Sequence, residues 1–236
     1  MSARAHPDST ASADERGAAL ALLPVAATID YYALPEWLQV QPLVQFAPQL
    51  VGYLAFALWA SHNESILGRV GLHGSLWRRG AKLGSIMGVL LGCVNSLVIL
   101  QFVPSLGWDI GFLKETPHAR VPVLFMLPWF IAGIALLVEF NFRGFVLGGL
   151  AALEAIVWRS ASLRRFAPLA LITSALVFAF DPFMVNTFRH LHWIAVWDGL
   201  LWGALWLSTR NLYATIVAHA VEVIVVYSAV RWALMS

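Results

Sequence analysis

Residues 121 to 138, VPVLFMLPWFIAGIALLV, contain no charged side chain. A run of this length and composition suits a membrane-spanning helix, which needs about 20 mostly apolar residues. Similar runs cover 43–61, 83–103, 166–180, 193–207 and 212–235. A weaker one at 18–35 is interrupted by Pro24 and Asp30. The apolar stretch 144–158 directly follows the sequence EFNFRG, so it is either a separate helix or a bent continuation of 121–138 jointed at Gly144. In lipid, backbone polar groups are satisfied only within helices or closed barrels. Unbroken apolar runs lack the alternation of barrel strands. The expected fold is therefore all-α, a polytopic membrane helical bundle of about seven to eight transmembrane or membrane-embedded helices.

Composition points the same way. Of 236 residues, 60% are hydrophobic and 12% charged, whereas a soluble domain carries roughly 25% charged residues. The net charge of +2 is too small to suggest a nucleic-acid partner, which leaves the lipid bilayer. Cys93 is the sole cysteine, so neither an intramolecular disulfide nor a Cys-based zinc site can form. The eleven tryptophans suit interfacial belts. Residues 1–17 are polar and mixed in charge and read as a disordered tail, and Asp8, Asp14 and Glu15 argue against a signal peptide. Residues 18–236 read as a single integral membrane domain. Arg69, Arg78, Arg79 and Lys82 fill one loop, and Arg159, Arg164 and Arg165 another. Both loops are expected on the cytoplasmic side. No internal repeat stands out.

Few ionisable residues fall inside the apolar runs, and such residues define the functional search space of a membrane protein. They are Glu139, Arg143, Glu154, Asp198, His219 and Glu222, with Asp30, Asp181, His190 and His192 at the edges. Glu139 and Arg143 are four residues apart and share a helix face. They either anchor a helix end at the interface or hold a carboxylate ready to polarise water or bind a metal. His219 is a packing residue or a site residue, with Glu222 three residues on along the same face. Glu222 either orients the imidazole or is protonated and bonded to a neighbouring helix. His190 and His192 in TFRHLHW point apart on a helix and can serve one site only from a loop. Asp198 is a further candidate, or a carboxylate bonded to Trp or Ser groups of an adjacent helix. No HExxH, GxSxG, phosphate-binding loop or dinucleotide fingerprint is present.

Three features together resemble the CAAX-protease and bacteriocin-processing (CPBP) family of intramembrane endopeptidases. VEFNFRG, with Glu139 and Arg143, is similar to the family motif EExxxR. Phe188 to His192 is similar to FxxxH, and HAVEV from His219 to HxxxN or HxxxD. The resemblance covers about 139–227 and includes the Thr-Arg-Asn-Leu turn between two helices at 199–221. It implies hydrolysis of a peptide bond in a membrane-associated protein or peptide substrate, with Glu139, Arg143, His192 and His219 as catalytic residues. His190, Asp198 and Glu222 are secondary candidates. By this resemblance Glu139 is the general base on water, oriented by Arg143, while His192 and His219 bind a divalent metal such as zinc or steady the oxyanion. Glu139, His192 and His219 would be the metal set. A multi-pass place in a bacterial inner membrane goes with this reading. The chain departs from the family at Val138, where the first glutamate stands, and at Val223, the Asn or Asp position. LVFAFDP also holds Asp181 and Pro182 where a histidine is usual. Two other readings follow. One is an inactive member serving as a membrane binding or scaffold protein. The other is a small carrier with His192 and His219 ligating haem or lining a proton path.

Overall fold

The computed structural model describes residues 16–159 and 166–235. Most of the expected N-terminal tail, together with Arg164 and Arg165, lies outside the described residues. Regular structure among the described residues is helical throughout, without a strand. The main helices are α1 (Ala18–Ala33) and α2 (Ala47–His62), then α3, which runs from Trp77–Leu97 through a π-helical turn to 105. They are followed by α4 (Val123–Val157), α5 (Pro168–Ala179), α6 (Pro182–Phe188), α7 (Ile194–Thr209) and α8 (Leu212–Met235).

Among the described residues, three helical stretches are long and apolar enough to cross a membrane: Ile66–Ser105, Val123–Val157 and Leu212–Leu234. A fourth is possible if the bent pair Pro168–Ala179 and Pro182–Leu191 is one span. This is fewer than seven to eight, for two reasons. The runs 121–138 and 144–158 fuse into the single helix α4, and Gly144 is not a joint between helices. Helices α2 and α7 have 16 residues each, about 24 Å at 1.5 Å per residue, short of a hydrocarbon core of about 30 Å.

Helix α4 is not regular. It widens into π-helical turns at Trp129–Leu136 and Phe140–Leu147, on either side of Leu137–Glu139. The first wide turn begins directly after Pro128, whose ring and missing N–H disrupt regular α-helical bonding. Between α5 and α6 the axis bends by 52°. Asp181 sits at that bend and accepts hydrogen bonds from Phe183 N at 3.0 Å and from Gln49 Nε2 at 2.9 Å. Glu154 closes the start of α5 by accepting from Ala170 N at 2.8 Å, where a carboxylate also complements the helix dipole. That contact gives Glu154 a structural role.

Helix α8 packs most extensively against α3, and the sequence of α3 explains why. Gly80, Gly84, Gly88 and Gly92 recur every fourth residue and form one face, which α8 approaches at backbone distance. A methyl group on Gly88 would lie 2.5 Å from the Ala218 carbonyl oxygen and 2.8 Å from Val221 Cβ. Small residues in this spacing let membrane helices touch closely. Outward faces carry large apolar side chains, such as Leu54 at 71% and Leu124 at 78% exposed. Such a belt suits hydrocarbon, since soluble monomers rarely leave contiguous apolar patches of this kind in water. Inside, aromatic side chains pack among aliphatic ones: Trp59, Phe145 and Trp206 in one cluster, Phe142, Phe178 and Trp202 in another.

Candidate functional site

Helices α4, α7 and α8 bring Glu139, Arg143 and His219 together. Glu139 is fully buried and Arg143 is 1% exposed. Their ion pair measures 3.0 Å from Arg143 Nη1 to Glu139 Oε1. The same carboxylate oxygen lies 2.8 Å from His219 Nδ1. The imidazole therefore donates Nδ1–H to Glu139, which leaves Nε2 available on the other side of the ring. Aromatic faces complete the packing. Trp202 of α7 stacks on His219 with ring centroids 4.2 Å apart. The Arg143 guanidinium lies 4.6 Å from the Phe178 ring centroid and 5.1 Å from that of Trp202. Glu139 Oε2 and Arg143 Nη2 are buried without a protein partner among the described residues. Buried polar groups of this kind are ordinarily satisfied by water or a polar guest.

A cavity of about 620 Å³ runs beside this cluster. Its walls are mainly apolar, and His219, Trp202, Phe142 and Phe178 line it. Glu139 and Arg143 do not; they stand behind His219. Val138 and Val223, the two departures from the motifs, both face the cavity. Its polar lining includes Asn95, Asp198 and Glu222, and Asp181 lies on its wall as well.

The second polar cluster joins three helices through one amide. Asn95 of α3 is fully buried. Its Nδ2 lies 3.1 Å from both Asp198 oxygens on α7 and 2.9 Å from Glu222 Oε1 on α8. Trp197 Nε1 donates to Asn95 Oδ1 at 3.0 Å. An indole N–H can only donate, so it fixes which end of the amide faces the carboxylates. Of the two uses of Glu222 open at the sequence level, the bond to a neighbouring helix is the one observed. Asp198 is bonded to the Asn95 amide of the adjacent helix α3. A search for charges overlooks Asn95 because it carries none; the signal was an amide inside the apolar run 83–103.

The two histidines of TFRHLHW stand apart from both clusters. His192 Nδ1 bonds the Arg189 carbonyl oxygen at 2.5 Å, and its ring packs on Phe180 at 5.2 Å. His190 packs edge-on to Trp108 and Phe112 at 5.2 and 5.3 Å. Neither lines the cavity. Among the described residues, no group of three or more His, Cys, Asp or Glu side chains is placed to hold a metal ion. Glu139, His192 and His219 thus do not form the three-ligand set that a catalytic zinc takes. The short 3-10 turn Arg189–Leu191 that precedes α7 carries His192 on its own carbonyl, which accounts for the separation. No protein-family model matches the chain, and neither a curated protein nor a solved structure does.

Proposed function

We propose that this chain is an intramembrane endopeptidase, a multi-pass protein of a bacterial inner membrane that hydrolyses a peptide bond of a membrane-associated protein or peptide. The observation that carries the reading is His219, held through Nδ1 by the buried Glu139 and facing a 620 Å³ cavity. A carboxylate that accepts Nδ1–H fixes the imidazole tautomer and orients Nε2 as a general base. His219 takes the proton of water here, and Glu139 orients it; Arg143 balances the charge of Glu139 in a dry site. This moves the base from Glu139, the residue expected from the motif, because Glu139 is enclosed and does not reach the cavity. The apolar walls suit an apolar stretch of substrate. In this reading the shorter helices α1, α2 and α7 are embedded segments that bring the total to seven or eight.

The test uses protein reconstituted in phospholipid vesicles with fluorophore–quencher peptides that carry apolar segments. Wild-type protein is expected to cleave, and His219→Ala to lower the rate by about 10²-fold or more, the usual worth of a general base. Cleavage that His219→Ala leaves unchanged would sink the proposal. A second reading, an inactive member that binds apolar membrane ligands, draws on Val138 and Val223 lining the cavity. It predicts ligand binding in the cavity with no turnover by wild-type protein.

A further inference from the structure

Asn95, Asp198 and Glu222 take no part in the reaction as described, yet three helices converge to build them. Asp198 and Glu222 are each 5% exposed. Two carboxylates that meet at a single amide nitrogen stand close enough for like charges to repel strongly, and such a pair is relieved by holding one proton between its members. Among the described residues, the surrounding charges do not cancel both. Arg143 acts on Asp198 but is already paired with Glu139, and His219 lies one turn from Glu222 on α8. Paired acids alone are a packing feature. The second observation is His219, 3% exposed, which lines the same cavity and offers it Nε2. Base and acid pair therefore face one space.

We infer that Asp198 and Glu222, clasped by Asn95, are the general acid of the hydrolysis, supplying the proton that the departing amine requires. The inference rests on the endopeptidase reading. In the forward reaction water attacks the substrate carbonyl carbon, the new C–O bond forms, and the water proton passes to His219 Nε2. The tetrahedral intermediate then collapses, the C–N bond breaks, and the amine nitrogen takes a proton from the carboxylic acid of the pair. The proton on His219 returns to the pair through solvent. The sum is one water and one amide converted to a carboxylic acid and an amine.

The leaving group separates this role from a structural one. An amine must be protonated to depart, whereas p-nitrophenolate leaves without help. Wild-type, Asp198→Asn, Glu222→Gln and His219→Ala proteins are reconstituted in vesicles. Each is assayed on an apolar fluorophore–quencher peptide and on the p-nitrophenyl ester of the same acyl segment. Both acid-pair variants are expected to lose about 10²-fold in kcat on the peptide and to stay within a few-fold of wild type on the ester. Retained ester hydrolysis also shows that they are folded. Equal losses on both substrates, or no loss on either, overturn the acid assignment. If His219→Ala hydrolyses both substrates like wild type, the endopeptidase reading falls instead. A wild-type protein that cleaves neither substrate overturns both.

Discussion

Replacing Gly88 by alanine tests the contact on which the polar clasp depends. Helix propensity favours the change by about 1 kcal/mol, so a loosely packed helix would gain stability. The new methyl would lie 2.5 Å from the Ala218 carbonyl oxygen and 2.8 Å from Val221 Cβ. Carbon contacts settle at about 3.5–4.0 Å, which requires α3 and α8 to separate by roughly 1 Å. Overpacking of this kind costs about 1–3 kcal/mol. Asn95 lies two turns along the same helix, and its 2.9 Å bond to Glu222 would be stretched past hydrogen-bonding reach. Losing a bond to a carboxylate adds about 1.5–3 kcal/mol. The clash therefore outweighs propensity, and a net loss of about 2 kcal/mol or more is expected. Helical circular dichroism followed against increasing SDS in mixed micelles measures it, with Gly74→Ala as control, since nothing lies within 4 Å of that position. A Gly88→Ala protein that unfolds at the wild-type SDS fraction, or later, would show that the two helices do not meet at backbone distance.

The remaining expectations concern the buried charges and one histidine outside the spans. Glu139→Gln leaves Arg143 charged and unpaired, a loss of about 3–5 kcal/mol; adding Arg143→Met should restore most of it, as the same SDS titrations would reveal. Glu154→Gln weakens the acceptor at the start of α5, by about 1 kcal/mol, and hydrogen exchange should quicken at the Leu169 and Ala170 amides while the Asn95 cluster is unaffected. Burial holds the His118 pKa below its ordinary value of 6.5. The unfolded chain then binds the proton first, so His118 contributes full stability above that value and loses it as the pH falls through it. His118→Phe should flatten this part of the stability–pH curve, and an unchanged acid slope would rule His118 out as its source.

Much of the helical framework was readable from residue order, because long uncharged runs leave the backbone little choice. Less was readable where phase matters. Pro128 marks where α4 first widens, but the run 121–138 is apolar on every side and nothing in it shows that the helix continues past Arg143 to Val157. The pairing of Glu139 with Arg143 followed from spacing alone, and the third partner, His219, was named as a candidate without any local signal that the two helices meet. His192 illustrates the converse. A motif fixes spacing along the chain, but the direction of a side chain in a short turn depends on its own backbone, and there His192 bonds the Arg189 carbonyl. Asn95 carries no charge to mark it in the sequence, although the four glycines that lead up to it mark that face of α3 as a close contact.

The two wide turns of α4 bear on how this chain can tolerate insertions and deletions. A π-helical turn amounts to one residue inserted in an α-helix and absorbed locally, so removing one residue there restores regular winding and leaves the flanking turns in phase. A deletion within Trp129–Leu136 would therefore keep Glu139, Arg143 and Glu154 in register with Val123–Pro128. Gly148–Val157 is regularly wound and has no such slack; a deletion between Gly148 and Glu154 would rotate the carboxylate by about 100° relative to the preceding turns and carry it off the start of α5. The wide turns are thus where α4 can lose a residue, and length variation should fall there.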